Sequence, residues 1–214
     1  MSKYGHKQIN WFEEVVDKLG GEEGAEALLR GDLVVQPVVS NSNPILHPIS
    51  DGSTSLFFSA CDGSEIIAGA RDVFESGIDS EFKRWDLINR PSKATGKTPA
   101  EAYRLLKSAT LKEMFTSLSP FDLGVLCVTE HQIKTFCKEY QNWFWAEGCR
   151  TSFITGTFFL TKKNWKVPTT LDNLFVVHVG MYSVGLSVRA YRFGDDSVWD
   201  ADDHRRLVVP KLVV

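Results

Sequence analysis

Between Val176 and His204 the chain carries no Lys, no Glu and no Gln, although all three are common elsewhere in it. That absence excludes an ordinary solvated sheet surface, which is built largely from such residues. Other absences narrow the class of protein. The four cysteines, Cys61, Cys127, Cys137 and Cys149, form no CxxC pair and no zinc spacing, so they read as reduced, buried thiols. There is no HExxH and no GxSxG, which removes the common zinc-protease and serine-hydrolase signatures. No apolar run approaches the length of a membrane span. The residues from Met1 to Gln8 are polar and hold no signal-like apolar segment, so a cytoplasmic protein is expected. Nor is there an excess of positive charge: the net charge of −3 argues against broad binding to nucleic acid or anionic membrane.

What is present is a large supply of core. Hydrophobic residues make up 43% of the 214, enough for one sizeable compact domain. The expected class is α+β, with a mainly helical region over residues 1–150 and an antiparallel strand region over 151–214. Helical spacing of apolar residues marks His6 to Leu19, stopped by Gly20-Gly21, and a short helix from Glu22 to Arg30. Leu33 to Val39 is strand-like but carries Pro37, which suits an edge. Leu56-Phe57-Phe58 reads as a short strand. A helix is expected from Asp62 or Ser64 through Phe74, and another is capped by Asp79. Thr98-Pro99-Ala100-Glu101 has the form of a capping box with Pro at the first helical position, which predicts a helix start. Thr110 and Glu113 open another helix. The longest amphipathic pattern, Glu130 to Glu147, begins with the capping box Thr129 and Gln132 and carries Ile133, Phe136, Cys137, Tyr140, Trp143 and Phe144 as one apolar stripe. A strand follows from Thr151 to Thr161.

The C-terminal segment alternates in the manner of half-buried strands. Val177, Val179 and Met181 share one face, and His178, Gly180 and Tyr182 the other. Leu186, Val188 and Ala190 alternate with Ser187, Arg189 and Tyr191. Tyr182-Ser183-Val184-Gly185 predicts a hairpin turn, Val198-Trp199 an apolar anchor, and Leu207-Val208-Val209 a last strand ending at Pro210. The expected ligand-binding set is therefore His178, Gly180, Tyr182, Ser187, Arg189, Tyr191, Asp195, Asp196, Asp200, Asp202 and Asp203. Tyr, Ser, Gly, Asp and Arg are the side chains of binding loops, where Tyr supplies area at low entropic cost and the small residues adapt around it. Val177, Val179, Leu186, Val188 and Trp199 are expected to hold the backbone beneath them.

Other stretches favour plainer readings. Ser92-Lys93-Ala94-Thr95-Gly96-Lys97-Thr98 ends like a phosphate-binding loop, but Pro91 stands where that motif needs Gly. The acidic turns with His204 suggest a divalent cation, yet the EF-hand pattern fails, and Asp in turns ordinarily serves local backbone bonds. No metal and no cofactor is expected. Cys137 lies in an apolar stripe and reads as an inert core thiol. Arg205-Arg206 reads as a solubilising flank of the last strand.

Gly24 to Val35 (GAEALLRGDLVV), Thr129 to Gly148 (TEHQIKTFCKEYQNWFWAEG) and Val198 to Leu212 (VWDADDHRRLVVPKL) resemble a family of uncharacterised bacterial proteins. The C-terminal pattern also resembles the variable proteins of diversity-generating retroelements. All the outward residue types can be written by codons ending in a pyrimidine, as an AAY-like template would require. That resemblance implies a C-type-lectin-like fold displaying a hypervariable patch, and a protein that binds a protein or small ligand through its C-terminal strands. Two alternatives stay open: a metal-dependent hydrolase using the acidic cluster and His204, and a regulatory protein whose partner docks on the helical half.

Overall fold

The computed structural model describes residues 16–17, 20–30, 44–49, 55–84, 92–145 and 156–212. The expected strand Leu33 to Val39, most of the helix His6 to Leu19, and Cys149 lie outside them. The chain divides into two compact units, 1–42 and 43–214. In the first, helix α1 (Glu22–Arg30) follows Gly20 and Gly21, both at positive φ, with Glu22 and Glu23 in its first turn and Arg30 in its last. That charge order suits the helix dipole.

The second unit is built on one mixed sheet. Its strands are β1 (Leu46–Pro48), β2 (Phe57–Phe58), β3 (Gly77–Ile78), β4 (Thr98–Leu105), β6 (Gly156–Lys162), β7 (Leu174–Tyr182), β8 (Gly185–Arg192) and β10 (Arg206–Pro210), in the order β1-β4-β10-β6-β7-β8-β3, with β2 also on β4. The β10–β6 and β3–β8 pairings are parallel and the rest antiparallel. A separate pair joins β5 (Ala109–Thr110) to β9 (Val198–Trp199). The helices of this unit are α2 (Glu81–Arg84), α3 (Leu111–Leu118), α4 (Glu130–Glu139) and α5 (Gln141–Trp145).

Both faces of the sheet are covered. On one, Ile133, Phe136 and Cys137 of α4 pack with Phe58, Phe74 and Phe82 against Phe159, Phe175, Val177, Val179, Val188 and Val208. Phe136 is the hub of this layer: its ring lies 5.3 Å from Phe58, 4.7 Å from Tyr140 and 5.6 Å from Phe159. On the other face, Leu111, Met114 and Phe115 of α3 pack against Phe158, Leu160, Val176, Leu207 and Val209. Two predicted capping boxes are formed, Thr110 with Glu113 and Thr129 with Gln132. Such reciprocal bonds satisfy orphan N–H groups at a helix start, and their positions set where α3 and α4 begin.

Four expectations are corrected. The stretch from Thr98 is strand β4, not a helix, because β10 pairs along one edge (Val208 with Ala102, Val209 with Glu101) while β1 and β2 pair along the other. Tertiary ladder bonds on both edges outweigh a local helix signal. The stretch from Asp62 to Phe74 is a 3₁₀ turn over Ile67–Gly69 followed by turns, although Ile67, Ala70, Val73 and Phe74 are buried as expected. Helix α4 stops at Glu139, with Tyr140 as its C-cap, and α5 begins afresh at Gln141. The sheet is mixed rather than purely antiparallel, and it draws β1 to β4 from the half of the chain expected to be helical.

Because Phe136 is fully buried and joins helix to sheet, Phe136→Ala is expected to lower stability by about 3–5 kcal/mol in urea unfolding, the range for a large core truncation.

Candidate functional site

Residues 176–191 form a hairpin in which Val176 pairs with Tyr191, His178 with Arg189 and Gly180 with Ser187. The alternation rule therefore holds: His178, Gly180, Tyr182, Ser187, Arg189 and Tyr191 share one face, the face that carries Val176. The hairpin turns at Gly185, whose φ of +130° is open to glycine and strained for other residues. Tyr182, Ser187, Arg189 and Tyr191 line one groove of about 680 Å³, completed by Ser76 to Asp79 around β3 and by Ser183 and Val184 of the turn. Ser76 ties the β3 segment to the turn, its Oγ donating to the Gly185 carbonyl at 2.9 Å. The Tyr191 hydroxyl, with Tyr182 and Asp79 nearby, raises the Arg189 pKa.

His178 and Gly180 are not displayed. His178 is 5% exposed and Gly180 is buried, because β9 and the segment before β10 cover that end of the face. The His178 ring lies 4.9 Å from Phe158, 5.6 Å from Trp199 and 6.1 Å from Tyr191. Arg205 Nη1 donates to His178 Nε2 at 3.1 Å, Arg205 Nη2 meets Asp203 Oδ2 at 2.8 Å, and the guanidinium lies 4.9 Å over Trp199. Since Arg205 can only donate, Nε2 is the acceptor and the imidazole proton sits on Nδ1. Burial, with Arg205 and Arg189 close by, holds the His178 pKa down at about 3, so the ring is neutral. Gly156, opposite Gly180 on β6, makes room for it: a Cβ there would overlap His178 Nε2.

Arg205 and Arg206 are not a solubilising flank: Arg205 is 8% exposed, and Arg206 is 4% exposed and stacks 4.2 Å over Trp143. Both are corrections. The signal that pointed toward Arg205 is its place two residues after Asp203 and next to a strand, which is too common to single it out. Asp195 and Asp200 serve local turns. Asp195 Oδ1 accepts from Ser197 N–H, and Asp200 Oδ1 from Asp202 N–H, with Ser108 near it at 3.4 Å. Asp196 and Asp202 are exposed. Among the described residues no three His, Cys, Asp or Glu side chains converge to hold a metal, and no helix is long and apolar enough to cross a membrane. Cys137 is fully buried with its thiol pKa raised, and burial pushes Cys127 up to about 12, so neither is a ready nucleophile.

A second buried titratable group sits on the opposite face. Glu130 opens α4 and accepts from Ile67 N–H at 2.8 Å, while burial pushes its pKa up to about 7. No family model, no curated protein and no solved structure matches the chain.

Two predictions arise here. Gly156→Ala is expected to destabilise by roughly 2 kcal/mol or more through overpacking against the imidazole, and Gly156→Ala with His178→Ala to cost less than the two singles combined, as a double-mutant cycle in chemical denaturation measures. The pH response is the other. His178, lowered to about 3 from 6.5, favours the folded state above pH 6.5 and loses that advantage as pH falls. Glu130, raised to about 7 from 4.5, does the reverse: its contribution is full below pH 4.5 and is lost as pH rises toward 7. Their slopes oppose between pH 4.5 and 6.5. Wild-type melting temperature is therefore expected to be nearly flat there. Glu130→Gln should leave a protein that weakens with acid, and His178→Gln one that weakens as pH rises, each by about 2 kcal/mol across the window.

Proposed function

We propose that the chain is a binding protein that recognises a protein or small ligand through the open groove of β8 and β3. The observation that carries this reading is that Tyr182, Ser187, Arg189 and Tyr191 line one continuous groove, while the alternate residues Leu186, Val188 and Ala190 are buried in the core beneath it. Two tyrosines, an arginine and small polar residues on a rigid strand pair are a composition suited to recognition. The groove offers a guanidinium for a carboxylate or phosphate on the ligand and two phenol rings for its apolar parts. The reading as a variable protein of a diversity-generating retroelement belongs to the same proposal. On it, the exposed groove positions vary and the buried ones on the same face stay constant. The metal-dependent hydrolase has no convergent ligand set to support it among the described residues.

Sequencing of the 3′ end of the gene across its source population tests the proposal. The expected result is substitution concentrated at the codons for Tyr182, Ser187, Arg189 and Tyr191, with His178, Gly180 and Gly156 constant and an adenine-bearing template copy nearby. A uniform 3′ end without a template overturns the diversified form. Independently, Arg189→Ala with Tyr182→Ala is expected to abolish binding to a partner recovered by selection on the wild-type protein while leaving the melting temperature within a few degrees, since these side chains are partly or fully exposed. Undiminished binding overturns the groove.

A further inference from the structure

At the far side of the sheet from that groove lies a second pocket, of about 370 Å³, lined among others by Lys93, Thr95, Gly96, Thr98, Val125 and Trp165. Five of its lining residues come from the stretch Ser92 to Thr98, which ends like a phosphate-binding loop. It is not a loop of that kind: strand β4 follows it instead of a helix, and Lys97 lies over the Phe57 ring, 4.4 Å from its centroid. Lys93 takes the other direction, with its ammonium 5.3 Å from the centroid of the Trp165 ring. Lys162, from the end of β6, brings a second ammonium to the same ring, also at 5.3 Å. Among the described residues neither lysine meets a carboxylate within ion-pair distance. Asp122 is the nearby acid, and its Oδ1 is engaged by Gly124 N–H at 2.7 Å.

The walls are held before any ligand arrives. Cys61 and Thr95 exchange backbone hydrogen bonds of 3.0 and 2.8 Å, and Ser92 Oγ donates to the Gly63 carbonyl at 3.2 Å. Gly63, at φ +79°, lets the two segments touch: a Cβ there would lie 2.6 Å from the Lys93 carbonyl. On the opposite wall the Trp165 loop is stapled by buried Asn173, whose Oδ1 accepts from Asn164 N–H and whose Nδ2 donates to the Asn164 and Pro168 carbonyls. Thr95 Oγ1 is buried with no partner among the described residues. The pocket offers the Lys93 ammonium, the Trp165 ring and the 44% exposed Val125, and the Lys162 ammonium stands beside Gly124, which lines it; this set fits an anion with a flat apolar body. Ammonium groups serve as point charges toward phosphate, flat rings stack on indole, and the volume is that of a small-ligand site.

We infer that the pocket lined by Lys93 and Trp165 and flanked by Lys162 binds a small phosphorylated ligand carrying a flat ring, of the nucleoside monophosphate class. Titration calorimetry of the full chain at low salt with AMP, adenosine and inorganic phosphate tests this. AMP is expected to bind, with adenosine and phosphate each at least about tenfold weaker, because each keeps only part of the contact. Lys93→Ala with Lys162→Ala, and separately Trp165→Leu, are expected to weaken AMP about tenfold or more. The single Lys93→Gln variant, at an exposed position, guards against loss of fold, which melting temperature checks. Three outcomes overturn the inference: no heat of binding with AMP at about 1 mM, AMP binding unchanged in the lysine variants, or phosphate binding as well as AMP with Trp165→Leu indifferent, which is an anion hole without a ring site. None of these depends on the β8 groove, so the two proposals stand or fall separately.

Discussion

The constraint on which the rest depends is the double burial of β7. Leu174 to Met181 are buried without interruption, so one set of alternate side chains enters the layer under α4 and the other the layer under α3. A strand buried on both sides needs two covering layers and neighbours on both edges. The chain supplies the edges with β6 and β8, the first layer with α4 and the aromatic residues around Phe136, and the second with α3 and the segment around Trp199. With apolar residues on both faces, a register slip exchanges the two layers' contents rather than merely exposing one. His178 and Gly156 add a specific lock, since only a residue without Cβ fits opposite the imidazole.

That arrangement makes a stiff platform with one open corner. Where α3 and β9 cover the second face, His178, Arg205, Trp199 and Phe158 form a buried polar and aromatic cluster. Where they do not, Tyr182, Ser187 and Arg189 meet solvent. Tyr191 belongs to both, packing on Trp199 at 5.0 Å and lining the groove. The groove residues thus stand on side chains fixed by close packing, and substitutions at exposed positions on such a platform cost little stability. The cluster itself is a structural device: a neutral imidazole accepting from a buried guanidinium whose charge is met by Asp203 at the surface. Removing either partner leaves a buried polar group unsatisfied.

The two pockets occupy opposite edges of the sheet, one at β8 and β3, the other where β4 begins and β10 ends. Both are built where regular structure gives way to loops that small residues hold close to the sheet: Gly185 at one, Gly63 and Gly124 at the other. Side chains with unspent hydrogen-bonding or charge capacity collect at such edges, because the ladder no longer demands an apolar partner.

Local chemistry written in adjacent residues was legible from the sequence. The capping boxes at Thr110 and Thr129, the hairpin at Gly185, the strand alternation through Arg192, the inward stripe of α4 and the shared face of His178, Gly180, Tyr182, Ser187, Arg189 and Tyr191 are all set by neighbours within a few positions. Periods of 2 and 3.6 and side-chain caps are local physics. What only the tertiary structure decided is whatever depends on distant segments. Thr98 to Leu105 became a strand because β10 and β1 claim its backbone. His178 became a buried acceptor because Arg205 and Trp199 arrive over it. Lys93 and Lys162 reach the same indole because segments far apart in the chain come together there. Alternation states which face a side chain takes, but coverage of that face is a property of the folded chain, since burial depends on what packs there and not on the strand alone.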